Sequence, residues 1–160
     1  MKSLRAQQPP LRPTGAAFLL AQLGAHAADR FAERIAPLGL RPRHGGILRL
    51  IGKMPCCNQL TLATRLGVLP SRMVVLIDEM TRKGLIKRKR STKDRRHSEL
   101  VLTKQGESVL EKLSYLAAKH EADLLAGLSS KERETLAALG RKIVSHQGLT
   151  PDVHPGYRKL

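Results

Sequence analysis

The stretch 58–102 constrains this chain most, because two short helical patterns and a basic hairpin follow one another with little spacing. Asn58 is a good N-cap for a short helix whose apolar positions are Leu60, Leu62, Ala63 and Leu66. Gly67 stops that helix, and Pro70 opens the next, since proline tolerates the first helical turn. Met73, Leu76, Ile77 and Met80 then fall at i, i+3, i+4 and i+7, which is one inward face. Gly84 ends this helix. Two β-prone runs, 85–89 and 98–102, flank Ser91-Thr92-Lys93-Asp94 and read as a hairpin with a long tip.

The rest of the chain reads as helices around this lobe. Residues 1–14 are basic and proline-rich, an arm without a core. A first helix is expected from Thr14 or Gly15 to near Pro37-Leu38-Gly39. A second follows Arg41-Pro42, with Ile47, Leu48, Leu50 and Ile51 buried, and 52–57 reads as a turn. From Thr103 the helical period returns: Gly106, Leu110, Leu113, Ala117, His120 and Leu124 trace one seam, and Leu136, Leu139 and Ile143 another. Residues 148–160 are expected to be a loose tail. The expected fold is therefore mainly α, a winged helix-turn-helix with a two-stranded wing, in which 15–147 form the domain and 58–102 the nucleic-acid-binding lobe.

Charge narrows the partner. The 160 residues hold 29 Lys and Arg against 13 Asp and Glu, a net charge of +16 that favours a polyanion. Half of that excess lies between Arg82 and Arg96, where nine basic residues meet one acid. Aromatic residues make up 2% of the chain, too few to stack on unpaired bases, so double-stranded DNA is favoured over single strands. Two adjacent cysteines cannot make a disulfide framework, which points to a reducing compartment. The run 15–23 followed by Ala25-His26-Ala27 imitates a secretory signal, but Leu20, Leu23, Ala27, Phe31 and Ile35 continue one helical stripe past the supposed cut. No stretch reaches the ~18 apolar residues of a membrane span. The expectation is a cytoplasmic protein without a membrane partner.

A helix fits the major groove, the preceding helix braces it, and a two-stranded wing reaches an adjoining minor groove. With 73, 76, 77 and 80 inward, Ser71, Val75, Asp78 and Arg82 lie opposite, flanked by Arg72 and Val74. Ser71 and Arg72 can donate to bases or phosphates, whereas Val74 and Val75 can read only thymine methyls or shape. Lys87, Arg88, Lys89, Arg90 and Lys93 are candidate phosphate contacts.

At these residues the chain resembles the multiple-antibiotic-resistance regulator (MarR) family of winged-helix transcription factors, over about 17–146. The carriers are Leu62-Ala63-Thr64-Arg65-Leu66-Gly67-Val68, Pro70-Ser71-Arg72, Lys83-Gly84-Leu85 and Asp94-Arg95-Arg96, which matches the family's Asp-Xaa-Arg wing motif. The resemblance implies a homodimer joined through 15–37 and 103–147, reading pseudo-palindromic DNA, usually as a repressor. It implies that Asp94 braces the wing and that Arg96 or Arg95 enters the minor groove. It also implies release by a small phenolic or lipophilic effector held between the dimer helices and the DNA-binding lobe, for which His26, Arg30, His44 and His120 are the candidate polar contacts. Two positions depart from the family pattern: Leu69 stands where a capping Asp, Ser or Thr is usual, and Val75 where a basic residue is common.

Cys56 and Cys57 precede a helix N-terminus, which can lower a thiol pKa, so a cysteine-based oxidant sensor is one alternative. A DNA-coating architectural protein, binding by charge without sequence choice, is another. No His or Cys spacing suits a metal, and no cofactor is implied. The chain lacks a phosphate-binding glycine loop, a nucleophile elbow and paired carboxylates in an apolar setting, so an enzyme is not expected.

Overall fold

The computed structural model describes residues 15–90, 98–151, 153, 154 and 157. In chain order these form α1 (Ala16–Ile35), a 3-10 turn (Ala36–Leu38), α2 (Pro42–Lys53), β1 (Cys57–Asn58), α3 (Gln59–Leu66), α4 (Pro70–Arg82), β2 (Ile86–Arg90), β3 (Ser98–Leu102), α5 (Lys104–Leu124) and α6 (Ser130–His146). The mainly α winged helix-turn-helix expected from the sequence is the fold observed.

The local signals act as their chemistry dictates. The Asn58 side chain accepts from Thr61 N at 2.7 Å, satisfying one free amide at the start of α3. Gly67 ends that helix with φ 64, a left-handed conformation that a side chain would oppose. From there α4 sets off at 113° to α3, so its outer face is turned away from the helix that supports it. Met73, Leu76, Ile77 and Met80 all point inward and are buried. They meet Ile47, Leu48 and Ile51 of α2, Leu62 and Leu66 of α3, and Ile86 and Leu100 of the sheet in one core. Each such side chain contributes about 1.5–3 kcal/mol on leaving water, so this cluster fixes how α4 is held.

Two expectations need correction. The segment 52–57 is not wholly a turn: Cys57 and Asn58 pair with Leu100 and Glu99, giving an antiparallel sheet in the order β1-β3-β2. The two-stranded wing thus carries a third short strand, which ties it to the start of α3. Of the apolar positions of α3, Leu60 is 64% exposed, because the eight-residue helix buries only the face holding Leu62, Ala63 and Leu66. The tail is not loose throughout. Tyr157 returns to α2, is 6% exposed, and donates its hydroxyl to the Arg43 carbonyl. It fits because Gly46 has no side chain, and a Cβ there would overlap the phenol ring. The expected arm, 1–14, lies outside the described residues.

The wing is joined to α5 by a second close approach. Thr103 Oγ1 donates to the Gly84 carbonyl at 2.6 Å and accepts from Gly106 N at 3.0 Å, capping α5. At Gly106 a Cβ would strike the Leu85 carbonyl, so glycine alone lets α5 start this near the strand. Beyond the lobe the helices are largely uncovered. α6 has no buried residue, and Leu136, Leu139 and Ile143 stand exposed with Phe18, Leu20 and Leu23 of α1.

Candidate nucleic-acid interface

Pro70 occupies the first turn of α4, and Leu69 supplies no side-chain cap, as its hydrocarbon chemistry requires. The outward surface of the first two turns consists of Ser71, Arg72, Val74 and Val75, all exposed. Val75 is 63% exposed and lies one turn after Ser71 and about one turn before Asp78, at the middle of that face. The two acids that follow are engaged within the protein. Asp78 Oδ1 accepts from Arg88 Nη2 at 2.6 Å, and Glu79 Oε2 lies 3.3 Å from His44 Nε2.

Residues 87–90 present four consecutive exposed cations on β2. Strand alternation divides them: Arg88 shares a face with buried Ile86, which directs it toward α4, while Lys87 and Lys89 project on the other side. Arg88, expected as a phosphate contact, is therefore already paired with Asp78. Two-residue parity from Ile86 is the sequence signal for this lock. Lys93, Asp94, Arg95 and Arg96 lie outside the described residues.

His44, expected beside an effector, is 1% exposed on α2, where it faces Glu79 of α4. Its Nδ1 accepts from Arg41 N at 3.1 Å and caps α2, while Nε2 lies beside the Glu79 carboxylate without an aligned hydrogen bond. Burial draws the His44 pKa below its ordinary value, against the pull of the Glu79 carboxylate. Burial pushes Glu79 upward, but His44, Arg43 and Lys83 outweigh it and hold the carboxyl below the usual range.

The other three candidates share a different face. His26 and Arg30 are exposed on α1, and His120 of α5 packs against Phe31 with ring centroids 5.4 Å apart. Burial lowers the His120 pKa, and Arg34, Arg30 and His26 lower it further against Asp123. Arg34 itself donates to Asp123 at 2.6 Å, bolting α1 to α5. A shallow cleft nearby along the chain is lined by Leu38, Glu111, Lys112, Tyr115 and Leu116, and none of the four expected residues lines it. At Cys57 burial pushes the thiol pKa up, opposite to what an oxidant-sensing thiolate needs. Among the described residues no three His, Cys, Asp or Glu side chains converge as a metal would require. No single described helix is long and apolar enough to cross a membrane.

A helix-turn-helix whose second helix presents an open N-terminal face, beside a cationic strand, defines a duplex-DNA reader. The sequence model of the MarR family matches residues 40–98, from the start of α2 into β3. Among solved structures, the chain is similar to the transcriptional repressor CouR bound to a 23-mer DNA duplex, at 30% identity and a TM-score of 0.73, over 81% of this chain and 92% of that one. It is similar to a probable transcriptional regulator from Pseudomonas aeruginosa at 27% identity and TM-score 0.69, over 81% and 96% of the two chains. A Mycobacterium tuberculosis MarR family protein in complex with salicylic acid shares the fold at 21% identity and TM-score 0.66, over 82% and 98%. The chain belongs to the MarR family of DNA-binding transcriptional regulators, which are not enzymes.

Proposed function

We propose that the chain acts as a homodimeric repressor, holding a pseudo-palindromic operator through α4 and the wing and releasing it when a small phenolic or lipophilic effector binds. The carrying observation is the uncovered apolar stripe of Leu136, Leu139 and Ile143 on α6 with Phe18, Leu20 and Leu23 on α1. An exposed apolar surface of this extent favours a partner of the same shape, and a second copy supplies one. Residues 15–37 and 103–147 are then the dimerisation helices, and 58–102 the DNA-binding lobe. A dyad through them sets two α4 helices against successive major grooves, with half-sites about 10 bp apart.

In this reading Ser71 and Arg72 meet bases or phosphates, Lys87, Lys89, Arg90 and Lys93 neutralise the backbone, and Arg95 or Arg96 enters the minor groove with Asp94 as its brace. CouR, described as a repressor and solved on duplex DNA, supports the assignment of role. His26, Arg30 and His120 form the polar, partly aromatic face on which an acidic phenol would be held, a reading supported by the relative solved with salicylic acid.

Sedimentation of the wild type beside Leu139→Asp/Ile143→Asp tests the dimer. The wild type is expected at twice the 17.7 kDa chain mass and the variant at that mass, with operator affinity lost in the variant. A variant that stays dimeric overturns this placement of the interface.

A further inference from the structure

Resting on the operator-reading assignment above, we propose that Val75, flanked by Val74, recognises thymine methyl groups in the major groove, so that each half-site carries thymine opposite the middle of α4. Little of α4 is left free. Its inward face is consumed by Met73, Leu76, Ile77 and Met80, and its two acids by Arg88 and His44. The outward surface of its first two turns therefore offers one hydroxyl, one guanidinium and two isopropyl groups. Ser71 and Arg72 stand at the helix start, which leaves the middle of the face to hydrocarbon.

A valine on the groove floor can form no hydrogen bond, so any base donor or acceptor it covers loses water without compensation, at a cost. The edge of a G·C pair presents N7 and O6 on guanine, N4 on cytosine and, beside them, a bare C5–H. Only thymine adds an apolar group, its C5 methyl. Val75 against a thymine methyl buries hydrocarbon on both sides; against G·C it strands polar atoms. The cations on β2 press the lobe onto the backbone, and a surface valine 63% exposed in the free protein is thereby covered.

The test is to select bound sites from a random duplex library at roughly 150 mM salt, then replace each thymine of the enriched site singly by deoxyuridine. This removes one methyl and keeps every hydrogen-bonding edge. At one or two thymines per half-site, wild-type binding is expected to weaken roughly fourfold, the equivalent of one buried methyl group. In Val75→Ala, an exposed-site change that spares the core, the same replacements weaken binding less than about twofold. Equal binding of uridine and thymine sites overturns this inference and leaves the operator-reading function standing. A penalty that persists unchanged in Val75→Ala assigns the contact to another residue and overturns it as well. Failure to enrich any sequence overturns both readings together.

Discussion

Arg88 Nη2 stands 2.6 Å from Asp78 Oδ1, and this contact fastens the wing's first strand to the recognition helix. In the proposed DNA interface Arg88 is therefore already paired, whereas Lys87, Lys89 and Arg90 occupy the same strand without that partner.

Replacing Lys87, Lys89 or Arg90 by Ala should lower the slope of log affinity against log salt by about 0.9 each, if each meets one phosphate. Arg88→Ala should change it by clearly less. Titrations of one duplex across roughly 50–200 mM salt measure this. Four equal slopes would show that the Asp78 pair opens on DNA.

Asp78→Asn removes a carboxylate beside the groove face and releases Arg88. Affinity for duplexes of any sequence should rise, with a salt slope steeper by about one. The fold should lose no more than about 1 kcal/mol, because both side chains are substantially solvated. Fluorescence anisotropy and thermal denaturation read the two effects separately. A fall in DNA affinity would mean that positioning the wing outweighs shielding the cation.

The His44–Glu79 contact joins α2 to α4, and its titration should appear in stability. His44 has a folded pKa below its ordinary 6.5, so below that pH the unfolded chain takes up more protons than the folded one. Stability is therefore full above about pH 6.5 and falls as the solution is acidified toward the folded pKa. The slope from this one group cannot exceed about 1.4 kcal/mol per pH unit. Denaturant midpoints between pH 7.5 and 5.5 should decline in the wild type and decline less in His44→Gln. Parallel curves would contradict the assignment.

Gly46 and Tyr157 make a matched pair. Gly46→Ala places a methyl group where the phenol now lies and should cost about 1–3 kcal/mol through overpacking or expulsion of the tail. In Tyr157→Ala the same substitution should be harmless or stabilising by up to about 1 kcal/mol, since alanine is the better helix former. A double-mutant cycle on denaturation gives the coupling directly.

The reading lobe was legible because its signals are local: an Asn cap, two glycines, a proline and an apolar period of 3.6 lie within thirty residues. Buried Met73, Leu76, Ile77 and Met80 follow from spacing alone. What escaped the sequence depends on contacts between distant segments. β1 exists only because β3 arrives beside Cys57, and Tyr157 is buried only because α2 has a glycine at 46. The family resemblance and its helix put His44 among the candidate effector contacts. Its position three residues after Arg41 on a new helix makes it a cap and a strut instead.

The central claim is that two copies of α4 read related sequences one helical turn apart. Selection from a random duplex library at roughly 150 mM salt, where binding by phosphates alone is weak, tests it most directly. The expected result is an enriched inverted repeat with half-site centres about 10 bp apart. Retained DNA without any enriched sequence would contradict it, and would make the basic wing the whole of the binding activity.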